Sequence, residues 1–442
     1  MSIPVNYQVD SKWVAPFAPR NIEPSIISTD RVIIKPSEII DKSTTTFSFE
    51  LPSLNNDFSD LSSIYIYVKG HLEYSNGDKL NNDLSQATLS NNALHTLWKR
   101  IDISIGQNQS LVSINDYPYL ALLRTIDIYK KDSKQLLNQL FVPDIGTTVS
   151  TSVGGKKTKM NFSHSSRKFV TMGSRECILH GKLLVDLASI DSYLFKNTPM
   201  KIQFFKSDPS FYVTNNPTIT SPLMKDYNFV ITQFEMHLDT LKINTNLSIS
   251  LDNQLKLKPA VYSYTKCDVL KYNVPSNVID FPIHNVLVGK LPIKFVISFV
   301  SQEAYRGNLN YEPMHFTLND LEYIDITVNG SHLKKIDLKT MSTLPTERDL
   351  IDFLKVGHDL CINAESFKES CSFLCVDLNR YCHTDLGTCM GEINPVGQMS
   401  FNLSFKTSTK IPTNLLLFAY KTDYMSIDVL KQTSFDANML KM

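Results

Sequence analysis

The second half of this chain repeats the first, weakly but in order. The segment Ile101-Asp102-Ile103-Ser104-Ile105-Gly106 has a counterpart in Ile324-Asp325-Ile326-Thr327-Val328-Asn329-Gly330, each an alternating strand that runs into a turn. Leu184-Val185-Asp186-Leu187 is echoed by Cys375-Val376-Asp377-Leu378. An alternating strand with a Phe-Lys pair follows each: Met200-Lys201-Ile202-Gln203-Phe204-Phe205-Lys206, then Met399-Ser400-Phe401-Asn402-Leu403-Ser404-Phe405-Lys406. A repeat of roughly 200 residues is far longer than a solenoid or propeller unit. It requires two similar, mostly β domains in one polypeptide.

At 442 residues each half can bury a full core. Aromatic residues are 24 Phe and 19 Tyr against 2 Trp, which favours strands. Lys plus Arg (44) balance Asp plus Glu (44), so no global field draws the chain to nucleic acid or an anionic membrane. Residues 1–20 show no charged start followed by an apolar core, and no run of about 18 apolar residues occurs; Leu415 to Tyr420 is strand length. The expectation is a soluble protein made inside a cell, with no transmembrane segment. Seven cysteines at irregular spacing fit a reducing compartment rather than a disulfide framework. The Asn-x-Ser sequons at Asn108, Asn161, Asn246, Asn329 and Asn402 are then expected to be unused.

Residues 1–40 carry Pro4, Pro16, Pro19, Pro24 and Pro36 without helical periodicity and read as an extended arm, lying on its own domain or on a neighbour. Residues 41–245 read as a first sandwich. Its strands are Thr45 to Leu51, Leu61 to Leu72, Leu94 to Ile105, Leu111 to Ile114, Cys177 to Leu187, Met200 to Phe205 and Tyr227 to Ile243. Asp116-Tyr117-Pro118 opens a helix from Tyr119 to about Tyr129, and 130–176 reads as loop around Gly154-Gly155-Lys156-Lys157. The polar, Asn-rich interval 246–258 reads as a linker. Residues 259–442 repeat the plan, with strands at Val261 to Val274, Val286 to Val300, Met314 to Val328, Ser372 to Leu378, Met399 to Phe405 and Asn414 to Tyr420, and a helix from Thr346 to about Lys355. About eight strands per repeat with very unequal loops suit a jelly-roll sandwich rather than an up-and-down barrel. The expected fold is all-β: two tandem eight-stranded jelly-roll sandwiches with a few short helices in the loops.

No constellation of catalytic residues emerges. Cys371, Cys375, Cys382, His383 and Cys389 are the one cluster where zinc could be imagined, but the gaps of three, six, zero and five residues lack close Cys-x2-Cys pairs. Cys375 also falls in an alternating strand, where buried free cysteine is common. There is no Gly-x-Ser-x-Gly elbow and no His-x-His pair. Asp102 with Asp325, and Asp186 with Asp377, recur at matching places and read as structural. Gly154-Gly155-Lys156-Lys157 lacks P-loop spacing; Lys156, Lys157 and Lys159 read as a solvated loop tip. Tyr65 and Tyr67 would form an RNA platform only on an uncovered face. No catalytic, cofactor-binding or metal residue is assigned, and no cofactor is expected.

The run Phe47-Ser48-Phe49-Glu50-Leu51-Pro52, with Asp57, Asp60-Leu61 and Ile64-Tyr65-Ile66-Tyr67-Val68-Lys69, resembles the opening of double jelly-roll major capsid proteins, those of adintoviruses and Polinton (Maverick) elements above all. Leu94-His95-Thr96-Leu97-Trp98-Lys99-Arg100 through Gly106, and Asp116-Tyr117-Pro118-Tyr119, are similar to the segments that follow in that family. In the second half Met314-His315-Phe316-Thr317-Leu318 and Ile324 through Gly330 look like its hairpin. The resemblance implies a non-enzymatic structural protein of the virion, made in the host cytoplasm. It further implies a homotrimer forming pseudo-hexameric capsomers of an icosahedral shell, in contact with neighbouring capsomers and with penton and minor capsid proteins, without sequence-specific nucleic-acid binding. The alternatives are a tandem β-sandwich binding module or a minor capsid protein; the internal repeat weighs against the latter.

Overall fold

The computed structural model describes residues 26–51, 57–80, 87–129, 134–144, 148–153, 156–190, 192–215, 226–318, 320–338, 362, 364–378 and 396–435. Along the first half run β1 (Ile26–Ile34), β2 (Thr46–Leu51), β3 (Phe58–Tyr74), β4 (Thr88–Leu89), α1 (Ala93–Thr96), β5 (Trp98–Ile105), β6 (Ser110–Asn115) and α2 (Tyr117–Ile128). Then come α3 (Lys134–Asn138), β7 (Thr148–Val153), β8 (Lys156–Asn161), α4 (Phe162–Thr171), β9 (Cys177–Lys182), β10 (Met200–Lys206), α5 (Pro209–Tyr212), β11 (Val213–Thr214) and β12 (Tyr227–Ile243). The second half comprises α6 (Thr245–Leu257), β13 (Ala260–Val274), β14 (Asp280–Lys290), β15 (Lys294–Ser301), α7 (Gln302–Arg306), β16 (Leu321–Val328), β17 (Ser331–Asp337), α8 (Ala364–Glu369), β18 (Leu374–Asp377), β19 (Val396–Phe405), β20 (Thr413–Ile427) and β21 (Thr433–Phe435).

Two sandwiches result, each from two antiparallel sheets. In the first the strand orders are β1-β12-β3-β9 and β2-β10-β5-β6; in the second, β13-β20-β15-β18 and β14-β19-β16-β17. The orders correspond strand for strand, and this is the jelly-roll connectivity that the unequal loops predict. The correspondence holds in register where the sequence repeat is clearest. Met200 pairs with Ile105 and Met399 with Val328, while Asp102 faces Gln203 and Asp325 faces Asn402.

Alternation places the cores. On β3, Ile64, Ile66, Val68 and Leu72 turn inward and are at most 3% exposed, while Tyr65, Tyr67 and Lys69 between them face outward. The first core centres on aromatic rings: Trp98 stacks on Phe234 at 4.7 Å, with Phe47, Phe49 and Phe204 edge-on around them. Each such side chain contributes roughly 1.5–3 kcal/mol by leaving water. Gly70 on β3 is required by this packing, because a Cβ there would collide with the Val230 carbonyl and the Phe229 ring. Phe295 against Phe401 and Phe299 against Phe405 play the corresponding part in the second core. Pro282 sits on β14, an edge strand, where its missing N–H costs no ladder bond.

Several expectations need correction. Residues 26–34, read as part of an arm, are the edge strand β1, paired with β12 from Ile26↔Ile243 to Ile34↔Met236. The stretch between Pro24 and Pro36 is rich in β-branched residues, and neighbouring prolines masked that signal; residues 1–25 lie outside the described residues. The interval 246–258, read as a linker, is helical and falls in α6 up to Leu257; at its N-cap the Asn244 Oδ1 accepts from the Asn246 N–H at 2.9 Å. Leu251 and Leu255, one turn apart, hold it against Phe58 and Phe195. The 130–176 stretch contains α3, the β7-β8 hairpin and α4 rather than loop alone. Leu94 to Thr96 is the turn of helix α1, and β5 starts only at Trp98. The strand expected from Met314 begins at Leu321, preceded by isolated bridges at Phe316 and Thr317. The helix expected at Thr346 lies outside the described residues.

Candidate functional site: the junction between the two sandwiches

The sheet β13-β20-β15-β18 is buried on both faces. Phe295, Ile297, Leu415, Leu417 and Ala419 turn into the second sandwich's own core. Val296, Val300, Leu416, Phe418, Tyr420 and Cys267 turn the other way and join the core of the first. Leu415 to Tyr420 is therefore an unbroken apolar run rather than an alternating one, as two-sided burial demands.

Helix α2 is the main element of the first sandwich on that face. Asp116 enters it in the left-handed conformation (φ 54°), with Pro118 in its first turn. The Tyr117 hydroxyl meets His95 Nδ1 at 2.8 Å and accepts from the Leu184 N–H at 3.4 Å. Burial pushes His95 down to about 3, so the imidazole is neutral at ordinary pH. Tyr119 stacks on Tyr305 of the second sandwich at 5.6 Å and 4° and meets Phe316 edge-on. Tyr305 in turn donates to Asp116 Oδ1 at 2.8 Å. The Tyr-Pro-Tyr element thus ties the two halves together.

Further along α2, Arg124 Nη2 donates to Asp186 Oδ1 at 3.0 Å and to the Thr265 carbonyl at 3.3 Å. Asp186 Oδ2 accepts from the Cys267 N–H at 2.9 Å, and the guanidinium lies 5.4 Å from the centre of the Tyr420 ring. Burial raises the Asp186 pKa, opposed by the Arg124 charge and the Cys267 N–H. A buried ion pair of this kind repays little net stability, but either partner alone is costly. Residues of both halves, among them Asn91, His164, Arg167, Asn310, Glu312 and His315, line a cavity of about 470 Å³. Arg167 Nη2 donates to Glu312 Oε2 at 2.7 Å and the Asn91 N–H to Glu312 Oε1 at 2.9 Å, a second polar tie across the junction.

The residues weighed for chemistry do not converge. Cys371 is buried and Cys375 half-buried; burial pushes the Cys371 and Cys177 thiols up to about 12, which makes them inert. Cys382, His383 and Cys389 lie outside the described residues, and among the described residues no group of three or more His, Cys, Asp or Glu is placed to hold a metal ion. Asp102, beside Arg100 at 3.1 Å, and Asp325, beside His332 at 3.4 Å, occupy matching positions of different sheets and form no dyad. Asp186 and Asp377 do not match: the Leu183 and Leu378 N–H groups donate to Ile64 and Ile293, so Leu183 is the counterpart of Leu378. Lys156, Lys157 and Lys159 belong to β8, whereas Gly154 and Gly155 lie outside the described residues. Among the described residues no helix is long and apolar enough to cross a membrane.

Sequence reading missed Arg124, Tyr305 and Glu312. Their partners are 62, 189 and 145 residues away in the chain, so no local pattern marks them.

No protein-family model matches the chain. An uncharacterized protein of Caenorhabditis elegans is 19% identical over 304 residues, covering 64% of this chain and 67% of that protein. Among solved structures, a chain of the Sputnik virophage, determined by cryo-EM, superposes with a TM-score of 0.59 at 12% identity, covering 93% of this chain and 89% of its own. The mavirus major capsid protein gives 0.57 at 13%, covering 99% and 95%. Vp54 of PBCV-1, fitted into a reconstruction of Sputnik, gives 0.55 at 11%, covering 93% and 97%. Over nearly its full length, the chain has the double jelly-roll fold found in viral major capsid proteins.

Proposed function

We propose that this protein is a major capsid protein, a non-enzymatic shell subunit that trimerises into pseudo-hexameric capsomers of an icosahedral virion. The observation that carries the reading is the match to the mavirus major capsid protein across 99% of this chain, both sandwiches included. The physics agrees with it. Two sandwiches of one strand order turn a threefold ring into a near-sixfold one, so a closed trimer fills a hexagonal lattice site. Neighbouring capsomers, a penton protein and minor capsid proteins are the further partners, and the lineage is that of adintoviruses and Polinton elements, on the segments from Phe47 to Lys69 and Asp116 to Tyr119. We take the first jelly roll to run to about residue 245 and the second from about 259, with α6 joining them.

Light scattering after gel filtration tests the reading. The expected species has three times 50.2 kDa, about 151 kDa, with hexagonal outlines in negative stain. A chain that stays at 50.2 kDa at every concentration and forms no capsomer-like particle contradicts it.

A further inference from the structure

The cavity of about 470 Å³ at the junction has no part in the capsid reading, and its size is that of a small-molecule site. Its walls come from the β4–α1 turn, α4 and β11 of the first sandwich and from the α7–β16 and β19–β20 connections of the second. Tyr311 and Ile411, 41% and 48% exposed, stand with the exposed Asn310 at its rim. Arg167 and Thr214 line it from the buried side, each 3% exposed. Both carry polar atoms that the fold leaves unused. Arg167 Nη2 donates to Glu312, but Nε and Nη1 meet no acceptor among the described residues, and Thr214 Oγ1 has no hydrogen-bond partner there either. Buried polar groups are as a rule paired, so unused hydrogen-bonding atoms of two residues lining one cavity call for an occupant that completes them.

We infer that this cavity binds a neutral carbohydrate of one or two rings. Charge decides against an anion. Glu312 already meets the Arg167 charge at 2.7 Å, Asp144 brings a second carboxylate to the wall, and burial keeps His164 uncharged at neutral pH. What remains at Arg167 is a set of N–H donors whose charge is spent, and a sugar oxygen is an acceptor without charge. Sugar hydroxyls also donate, which suits Thr214 Oγ1 and the remaining lone pairs of Glu312, whose two oxygens accept from Arg167 and from the Asn91 N–H. Asn215, Ser301 and Asn310 add amide and hydroxyl groups to the wall. A sugar ring has in addition an apolar C–H face, for which Tyr311 and Met314 provide apolar surface. Ordered water alone would satisfy the polar atoms but would gain nothing from that side.

Saturation-transfer difference NMR on the full chain tests the assignment. The neutral probes are N-acetylglucosamine, galactose, mannose and lactose, and N-acetylneuraminate is the carboxylated one. The expected result is saturable binding of at least one neutral probe with a Kd of about 1 mM or tighter. Thr214→Val and Arg167→Lys should each raise that Kd about 3–10-fold, the loss of a hydrogen bond or two. Thr214→Val removes a hydroxyl that the fold does not use, so its melting temperature should hold or rise. It keeps the test open where Arg167→Lys, by disturbing the pair with Glu312, fails to fold. Three results overturn the assignment: no neutral probe saturates, both folded variants bind as tightly as wild type, or N-acetylneuraminate binds more tightly than every neutral probe. The mass in solution that tests the capsid reading is measured separately, so either reading can fail alone.

Discussion

Mild acid should weaken the first sandwich through two buried imidazoles. His95 is fully buried and His164 is 5% exposed; burial, reinforced at His164 by the Arg167 charge, pushes each from 6.5 down to about 3. The folded-state pKa of a base is here below its unfolded value. As pH falls through about 6.5 the unfolded chain takes up two protons that the folded chain refuses until about 3. The stability is therefore complete above about 6.5 and is lost progressively between about 6.5 and 3. At pH 5.5 linkage sets the loss at about 1.4 kcal/mol per imidazole, or about 2.8 kcal/mol for both. Other groups act differently. Asp239, held below the carboxylate range by its hydrogen bonds from Arg31, loses its contribution only below about 4. Asp186, raised by burial, shifts stability the opposite way. Urea unfolding at pH 7.5 and 5.5, followed by the fluorescence of the core residue Trp98, gives the difference for wild type and for His95→Gln, His164→Gln and the double variant. Each single variant should lose about half of the acid effect and the double variant nearly all of it. A double variant as acid-sensitive as wild type refutes the reasoning, whatever its stability at neutral pH, because only the difference between the two pH values is read.

Two further outcomes are expected. Arg124→Met or Asp186→Leu alone should cost about 3–5 kcal/mol in urea unfolding by stranding the other charge at the junction, whereas the two together should cost clearly less than their sum. Asn329 holds the β16-β17 turn in the left-handed conformation (φ 51°), and its Oδ1 accepts from the Gln398 N–H at 2.9 Å. Asn329→Ala should lower stability by about 1–2 kcal/mol and Asn329→Gly by less, since glycine keeps the backbone free and forfeits only the side-chain bond; equal losses in thermal melts would contradict that division.

The legibility of the chain varied with how local each signal is. Ile101 to Ile105 and Ile324 to Val328 were recognised as counterparts because alternation is written in neighbouring residues, and the pairings with Met200 and Met399 show the same register in both sandwiches. The matching of Leu184 to Leu187 with Cys375 to Leu378 failed by a few residues, because a short apolar run has no register of its own until it is paired with β3 or β15. Strand β1 was concealed by flanking prolines, and α6 by its polar composition, although Leu251 and Leu255 carried the helical spacing. The junction was half visible. Tyr117-Pro118-Tyr119 stood out as a motif, but Tyr305, which Tyr119 stacks on, is 186 residues further along and unmarked.

What the sequence by itself determined was the duplication, the all-β character and the inward side of most strands, since these follow from the period of two and the order of turn residues. What only the tertiary structure decided was the fate of each outward side. Tyr65, Tyr67 and Lys69 alternate with a core and stay half open, whereas Val296, at the place of Tyr67 in the second sandwich, joins the core of the first. Alternation states that a strand has two faces; which of them meets water, the other sandwich or a second molecule depends on contacts between residues far apart in the chain, and local periodicity holds no record of those.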